Sequence, residues 1–107
     1  RKTNTAAKAS VHYKITPKTD LTLLYALAHI LIKNNWIDET FIAQSTTGFD
    51  EFKKHVEAFT PERASQESGL SVEEIYRFAE TIHAAKRPSF YWTMGVNQSW
   101  MGVRTAQ

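Results

Sequence analysis

Residues 91–102, YWTMGVNQSWMG, combine aromatic side chains with amides and glycines in a way that suits ligand contact. Gly95 allows a backbone to approach a ligand closely, and Gln98 offers both a hydrogen-bond donor and an acceptor. Met94 adds a polarisable apolar contact. A polar turn between a strand and a helix explains the same residues equally well, so both interpretations remain open for this stretch.

A second candidate is ITPKTDL, residues 15–21, which joins a predicted strand to a predicted helix. Ligands of open α/β sheets collect at such loops, outside the carboxyl ends of the strands. Lys18 and Thr19 lie there, and Asp20 has a carboxylate able to accept hydrogen bonds from a ribose or a guanine edge. Position alone favours the alternative that Asp20 only caps the helix.

Other residues with reactive side chains give weaker signals. No two of the four His share a metal-ligand spacing with each other or with an inward carboxylate, which favours packing or surface roles. The chain has no Cys and therefore supplies no thiolate ligand for zinc or an iron–sulfur cluster. It also lacks a phosphate-binding loop with Lys-Ser/Thr and a Gly-x-Ser-x-Gly elbow. Catalysis by these residues alone is not expected.

The elements that position these candidates follow from the apolar periodicity. VHYKI, residues 11–15, alternates as a short strand, and residues 88–95 are predicted to form a buried strand. Helical patterns lie between them, with start signals at Asp20 or Thr19, at Asp38, at Thr60 and at Ser71. Because a long helical crossover favours parallel pairing, we expect an α/β fold, the helix-rich part of a Rossmann-like domain with a short parallel sheet.

The bulk properties limit the class of protein. A chain of 107 residues suits a single unit, and we expect residues 1–107 to be one segment of a larger protein, truncated at both ends. A net charge of +2 is too small to indicate nucleic-acid binding. No apolar run approaches the roughly 20 residues that a membrane span needs.

Four stretches together resemble the catalytic subunit of bacterial molybdenum nitrate reductases, in the dimethyl-sulfoxide-reductase family of molybdopterin oxidoreductases. The resemblance covers almost the whole chain, and TMGVNQ is its most specific part. The four stretches are ITPKTDL, ALAHILIKNNWIDETFIAQSTTGFDEFKKHV, TPERASQESGLSVEEI and YWTMGVNQSWMG.

The resemblance implies a molybdenum ion held by two molybdopterin guanine dinucleotides, beside a [4Fe-4S] cluster bound by parts of the parent protein outside this chain. It implies reduction of nitrate to nitrite, with electrons from a donor protein or subunit. It also implies a set of cofactor-binding positions in this sequence, with no catalytic or metal-ligating residue among them: Arg1, Lys2, Thr3, Lys18, Thr19, Asp20, Met94 and Gln98.

One departure from the family pattern bears on the compartment. The periplasmic enzymes usually have His-Thr-Arg-Gly after Asn-Gln, whereas this chain continues Ser99-Trp100-Met101-Gly102. The resemblance therefore favours a cytoplasmic, assimilatory type, with a periplasmic type as the alternative. The competing functions are a formate dehydrogenase or another oxyanion reductase of the same family, and a non-catalytic helical interaction module.

Overall fold

The computed structural model describes residues 2–98 and 101–106, and within these residues the chain is 62% helical with no strand. The helices, in chain order, are α1 (Asn4–Lys8), α2 (Asp20–Lys33), α3 (Glu39–Ser45), α4 (Phe49–Val56), α5 (Pro61–Ser68), α6 (Val72–Ala84), α7 (Met94–Asn97) and α8 (Gly102–Ala106).

Helix α2 is the centre of the fold. It packs on α4, α5, α6 and α8, as expected for a helix that is apolar on most of its sides. Its most buried residues recur at helical spacing and form one continuous stripe. Together with buried residues of α5, α6 and the turn between them they make up a single core: Leu23, Ala26, Leu27, Ile30, Ala64, Leu70, Ile75 and Ala79.

Three of the predicted helix starts are confirmed by the capping hydrogen bonds. The Asp38 carboxylate accepts from the Phe41 N–H at 2.9 Å, and the Thr60 hydroxyl accepts from the Arg63 N–H at 3.3 Å. Ser71 and Glu74 form the predicted capping box, in which each side chain accepts from the other residue's backbone N–H. Each cap satisfies a donor that the helix itself leaves without a partner.

The predicted first strand is wrong, although two of its three apolar residues face the core. Residues 11–15 have no regular secondary structure; Tyr13 and Ile15 are partly buried against the helical core, whereas Val11 is 47% exposed. The Tyr13 ring stacks on Phe78 of α6 with ring centroids 5.0 Å apart. A period of two shows only that alternate side chains face the same way, and an extended segment lying across helices satisfies it as well as a sheet does.

The predicted second strand, residues 88–95, is also wrong. Residues 88–93 are non-helical and exposed, and α7 begins at Met94, inside the predicted strand. Tyr91 is 93% exposed, so the expectation of a buried strand fails as well. Without paired strands in the described residues, the predicted parallel sheet, the α/β class and the Rossmann-like assignment are all overturned by a helical structure.

Candidate functional site

The residues before α2 form a tight turn from Thr16 to Thr19. Both the backbone N–H and the side-chain hydroxyl of Thr19 donate to the Thr16 carbonyl, at 3.3 and 2.6 Å. Pro17 occupies the second position, where its fixed φ suits the turn, and Lys18 occupies the third with φ +72°. A turn of type II requires a positive φ at that position, which normally selects glycine or asparagine. Lys18 is therefore held in a backbone conformation that disfavours its own side chain.

The start of α8 lies against α7 through a close backbone contact. A Cβ atom on Gly102 would lie 2.6 Å from the Asn97 carbonyl oxygen and 2.8 Å from that of Val96, so only glycine fits there. Helices α7 and α8 consequently pack against each other, and α8 packs against α2. This arrangement directs part of the stretch 94–102 towards the turn before α2.

The two candidate segments share one pocket of about 130 Å³. Side chains from the Lys18 turn and the first residues of α2 meet Val96 and Met101 of the second segment there, with Thr105 of α8 beside them. The residues that line it are Lys18, Asp20, Leu21, Thr22, Val96, Met101 and Thr105.

The charged groups of this pocket suit a ligand that has both anionic and donor groups. Neither the Lys18 ammonium nor the Asp20 carboxylate forms an ion pair or side-chain hydrogen bond with another described residue. A lysine is a strong partner for phosphate, and a carboxylate accepts paired N–H donors. The pocket, at about 130 Å³, is smaller than the roughly 300–1,000 Å³ of a complete small-molecule site, so by itself it has room for only part of such a ligand.

The structure brings only some of the predicted site residues into this pocket. Thr19 is the N-cap residue of α2 but makes no capping bond, since its hydroxyl is turned back to Thr16. Asp20 is the first residue of α2 and not its cap, in a first turn where the helix dipole favours an acid. Met94 is 58% exposed and Gln98 is exposed at the end of α7, and neither lines the pocket.

The predicted residues at the start of the chain lie elsewhere. Lys2 is exposed, and the Thr3 hydroxyl caps α1 by accepting from the Ala6 N–H at 3.2 Å. Neither lines the pocket, and Arg1 lies outside the described residues.

Several lining residues were not predicted from the sequence. Met101 and Thr105 stand four residues apart, and the Thr105 hydroxyl donates to the Met101 carbonyl at 2.9 Å. That spacing places both on one helix face and is the signal that points to them. Val96 lies between the two predicted residues of its stretch, Met94 and Gln98, and only the geometry selects it.

A larger concavity of about 470 Å³ lies between α2, α3 and α4, away from the candidate residues. Its lining includes the carboxylates of Glu39, Asp50 and Glu51, with Lys53 the one basic side chain. An anionic ligand would meet net repulsion there. Of these two concavities, the smaller one at Lys18 therefore suits a phosphate-containing ligand better.

Three of the four His make packing contacts and His12 is exposed, which agrees with the predicted packing or surface roles. The His29 ring lies 3.1 Å, through Nδ1, from the Val56 carbonyl oxygen, and the His83 ring stacks on Trp36 with centroids 4.4 Å apart. His55 lies edge-on against Tyr25. No group of three or more His, Cys, Asp or Glu suited to a metal ion occurs in residues 2–98 and 101–106. In the same residues, no helix has the length and apolar character needed to cross a membrane.

A polar network connects the pocket to α5. The Thr22 hydroxyl donates to Oε2 of Glu67 at 2.7 Å, and Nε of Arg63 donates to Oε1 of the same carboxylate at 2.8 Å. These hydrogen bonds, from Arg63 first and then from Thr22, hold the pKa of the Glu67 carboxyl below its ordinary value of 4.5. A lowered pKa means that the network stabilises the fold above that value, and that this stabilisation is lost as the pH falls through the lower, folded-state pKa.

We therefore expect Glu67→Gln to destabilise the chain at neutral pH but not in acid. The loss at pH 7 should be small, about 0.5 kcal/mol, because both partners are well exposed and screened by water. Urea denaturation of both forms at about pH 7 and about pH 3 measures it. An undiminished difference at the acidic pH would contradict the assignment.

The comparisons with known proteins find similarity to formate dehydrogenases and nitrate reductases. No protein-family model matches the chain. The homologues, however, are molybdopterin oxidoreductases, and the chain is similar to a part of them. It is 37% identical over 107 residues to formate dehydrogenase H of Escherichia coli (strain K12), which covers 100% of this chain and 15% of that protein. It is 37% identical over 103 residues to a nitrate reductase of Synechocystis sp. (strain ATCC 27184 / PCC 6803 / Kazusa), covering 96% of this chain and 14% of that protein.

The chain thus spans about 15% of the length of the curated relatives it matches. Because the two identities are equal, the similarity does not separate a nitrate reductase from a formate dehydrogenase.

A solved structure has the same fold. Acetylene hydratase from Pelobacter acetylenicus superposes with a TM-score of 0.85 and 22% sequence identity, over 91% of this chain and 13% of that chain. The helical arrangement described above therefore also occurs as part of a much longer polypeptide.

Proposed function

We propose that this chain is a segment of a molybdenum enzyme whose metal is held by two molybdopterin guanine dinucleotides, and that it contributes one wall of the cofactor cleft. The single observation that supports this most is the shared pocket, in which Lys18 and Asp20 lie beside the segment that contains the TMGVNQ run. The similarity to molybdopterin oxidoreductases supports the same proposal.

The residues of the pocket fit the guanine dinucleotide end of such a cofactor. Lys18 has an ammonium group without a protein partner among the described residues, suited to a pyrophosphate oxygen. Asp20 has two acceptor oxygens for the neighbouring N–H donors of a guanine edge. Leu21, Val96 and Met101 supply apolar contact that keeps water from these polar bonds. When bound, the cofactor supplies the redox chemistry, and the protein supplies position and electrostatics.

The proposed reaction of the parent protein, the longer polypeptide that contains this segment, is reduction of nitrate to nitrite and water. The TMGVNQ run, residues 93–98, supports nitrate as the substrate because of its resemblance to nitrate reductases. A formate dehydrogenase is the second candidate, favoured by the 37% identity to formate dehydrogenase H over the whole chain. The proposal extends to a [4Fe-4S] cluster held elsewhere in the parent, to an electron-donor protein or subunit and to a cytoplasmic location.

The rest of the parent is the proposed partner of the exposed aromatic segment. Phe90, Tyr91, Trp92 and Met94 are all more than half exposed and consecutive or nearly so. A contiguous apolar patch of this kind usually marks an interface. An independent helical module with residues 94–100 packed inside, the alternative from another class, does not account for this exposure.

The test is to purify the parent protein and determine its molybdenum content, its guanine nucleotide content and the substrate on which it acts. We expect molybdenum by mass spectrometry, guanosine monophosphate on acid hydrolysis of the cofactor, and nitrate-dependent oxidation of reduced viologen dye. Formate-dependent dye reduction without nitrate reduction would replace the first candidate by the second. A protein that contains neither molybdenum nor guanine nucleotide, when produced with ample molybdate, would refute both.

A further inference from the structure

The turn that presents Lys18 is held at both ends by one other helix, α5. At the first residue of the turn, the carbonyl oxygen of the fully buried Ser68 accepts from the Thr16 backbone N–H at 2.8 Å and from the Thr16 hydroxyl at 3.1 Å. After the turn, the Thr22 hydroxyl donates to Glu67 at 2.7 Å. Ser68 and Glu67 are adjacent in the last turn of α5, so one rigid element fixes both sides of the strained residue.

Glu67 is itself fixed from the other side. Arg63 donates to it from the preceding turn of α5, and the same guanidinium donates to the Ala58 carbonyl at 3.2 Å and lies over the Phe59 ring at 4.2 Å. A planar guanidinium held by three partners is well placed to orient a carboxylate. Arg63 also neutralises the charge of the Glu67 carboxylate, which accepts a hydrogen bond from the Thr22 side chain that lines the pocket.

This second effect matters for an anionic ligand. An unpaired carboxylate so close to the pocket would repel phosphate, and pairing with Arg63 removes most of that repulsion. The network therefore provides two things at once: a fixed position for the first turn of α2, and a local charge balance in which the Lys18 ammonium remains the available cation.

A strained residue persists only where its surroundings hold it in place, and such strain is common where a side chain must point at a ligand. Gly69 ends α5 with φ +79°, and a Cβ atom there would lie 3.4 Å from the Thr16 hydroxyl oxygen. Because Gly69 has no side chain, the turn after α5 leaves room for the Thr16 hydroxyl to reach the Ser68 carbonyl.

We infer that Glu67 and Thr22, with the Ser68 carbonyl and Thr16, are positioning residues that hold the Lys18 turn against the nucleotide end of the cofactor. The inference rests on the proposed function. The Thr22 hydroxyl and the Glu67 carboxylate bond each other and need not contact the ligand. They act by fixing the geometry of the turn.

The experiment compares hydroxyl variants at position 22 in the full-length parent protein. Thr22→Val keeps the shape and removes the donor, while Thr22→Ser keeps the donor. We expect Thr22→Val to reduce the guanosine monophosphate and molybdenum retained per protein by roughly three- to tenfold, the effect of one lost hydrogen bond. Thr22→Ser should restore retention to within about twofold, because the hydroxyl and not the methyl group is used. Amide hydrogen exchange of Thr16 should accelerate in Thr22→Val while the amides of α6 keep their protection.

The matched control is Thr81→Val. Thr81 lies on the exposed face of α6, and its hydroxyl donates only within its own helix, to the Arg77 carbonyl at 2.8 Å. Unchanged retention in Thr22→Val, failure of Thr22→Ser to rescue, or an equal loss in Thr81→Val would each overturn the inference and leave the proposed function standing. A wild-type protein without any guanine nucleotide would overturn both.

Discussion

Replacing Lys18 by glycine should make the chain more stable and the cofactor more weakly bound. The two effects have opposite signs because the backbone of Lys18 is strained, whereas its side chain supplies a charge for the ligand. The backbone has φ +72°, which glycine adopts without steric cost. The side chain supplies the ammonium group of the pocket, which glycine lacks.

The gain in stability is a difference of two terms. Relief of the left-handed conformation contributes about 1–2 kcal/mol, and the greater freedom of glycine in the unfolded chain removes about 0.5–1 kcal/mol. The net increase of roughly 0.5–1 kcal/mol corresponds to a melting temperature higher by about 2–6 °C. The loss of a charge-assisted bond to phosphate should weaken nucleotide binding roughly tenfold or more.

Thermal denaturation of the chain measures the first effect, and the guanosine monophosphate and molybdenum contents of the parent measure the second. Lys18→Arg is the control, because it keeps both the charge and the strained backbone and should change neither quantity much. If Lys18→Gly lost stability, the turn would not be strained as described. If it retained a full complement of cofactor, Lys18 would not belong to the site.

The local signals in the sequence predicted the helix starts well. A cap depends on one side chain and the N–H groups two or three residues later, so all of its information lies within one turn. Ser71 and Glu74 show this: their spacing alone specifies the capping box that the structure contains. The buried character of α2 was predictable for a similar reason, since its apolar residues cover most of its sides.

Whether residues 11–15 and 88–95 pair as strands could not be predicted in the same way, because a strand is defined by its partner. Tyr13 and Ile15 alternate with polar residues whether the surface beneath them is a sheet or a pair of helices. The aromatic residues before α7 resemble a buried strand in composition, but burial depends on whether a covering surface is present. Nothing within either segment encodes that surface.

The candidate site was predictable in its segments but not in its support. Residue types drew attention to both the ITPKTDL segment and the stretch that contains Met94, and the family resemblance then implied the cofactor-binding roles. The left-handed φ of Lys18 was not expected, because glycine or asparagine normally marks such a turn. Glu67 stands 45 residues from the Thr22 that it holds, a separation at which no sequence spacing carries information.

The core of the fold has few residues, so each one should matter greatly. Ile75 on α6 has 0% of its surface exposed and lies in the same cluster as Ile30 of α2. Helix α6 packs on both α2 and α5, and Ile75 belongs to the single core cluster that these three helices share. A side chain in that position contributes through its own burial and by excluding a cavity.

Ile75→Ala should lower the free energy of unfolding by about 2–5 kcal/mol, since the three helices cannot close fully over the lost volume. A domain of this length is usually stable by only about 5–15 kcal/mol, so the loss is a large part of the total. Urea denaturation followed by circular dichroism measures it as a lower midpoint at unchanged slope. Phe41→Ala on α3 is the matched control: it removes a larger side chain that is 59% exposed, and should change stability by less than about 0.5 kcal/mol. Equal losses in the two variants would mean that α6 does not close the core at Ile75.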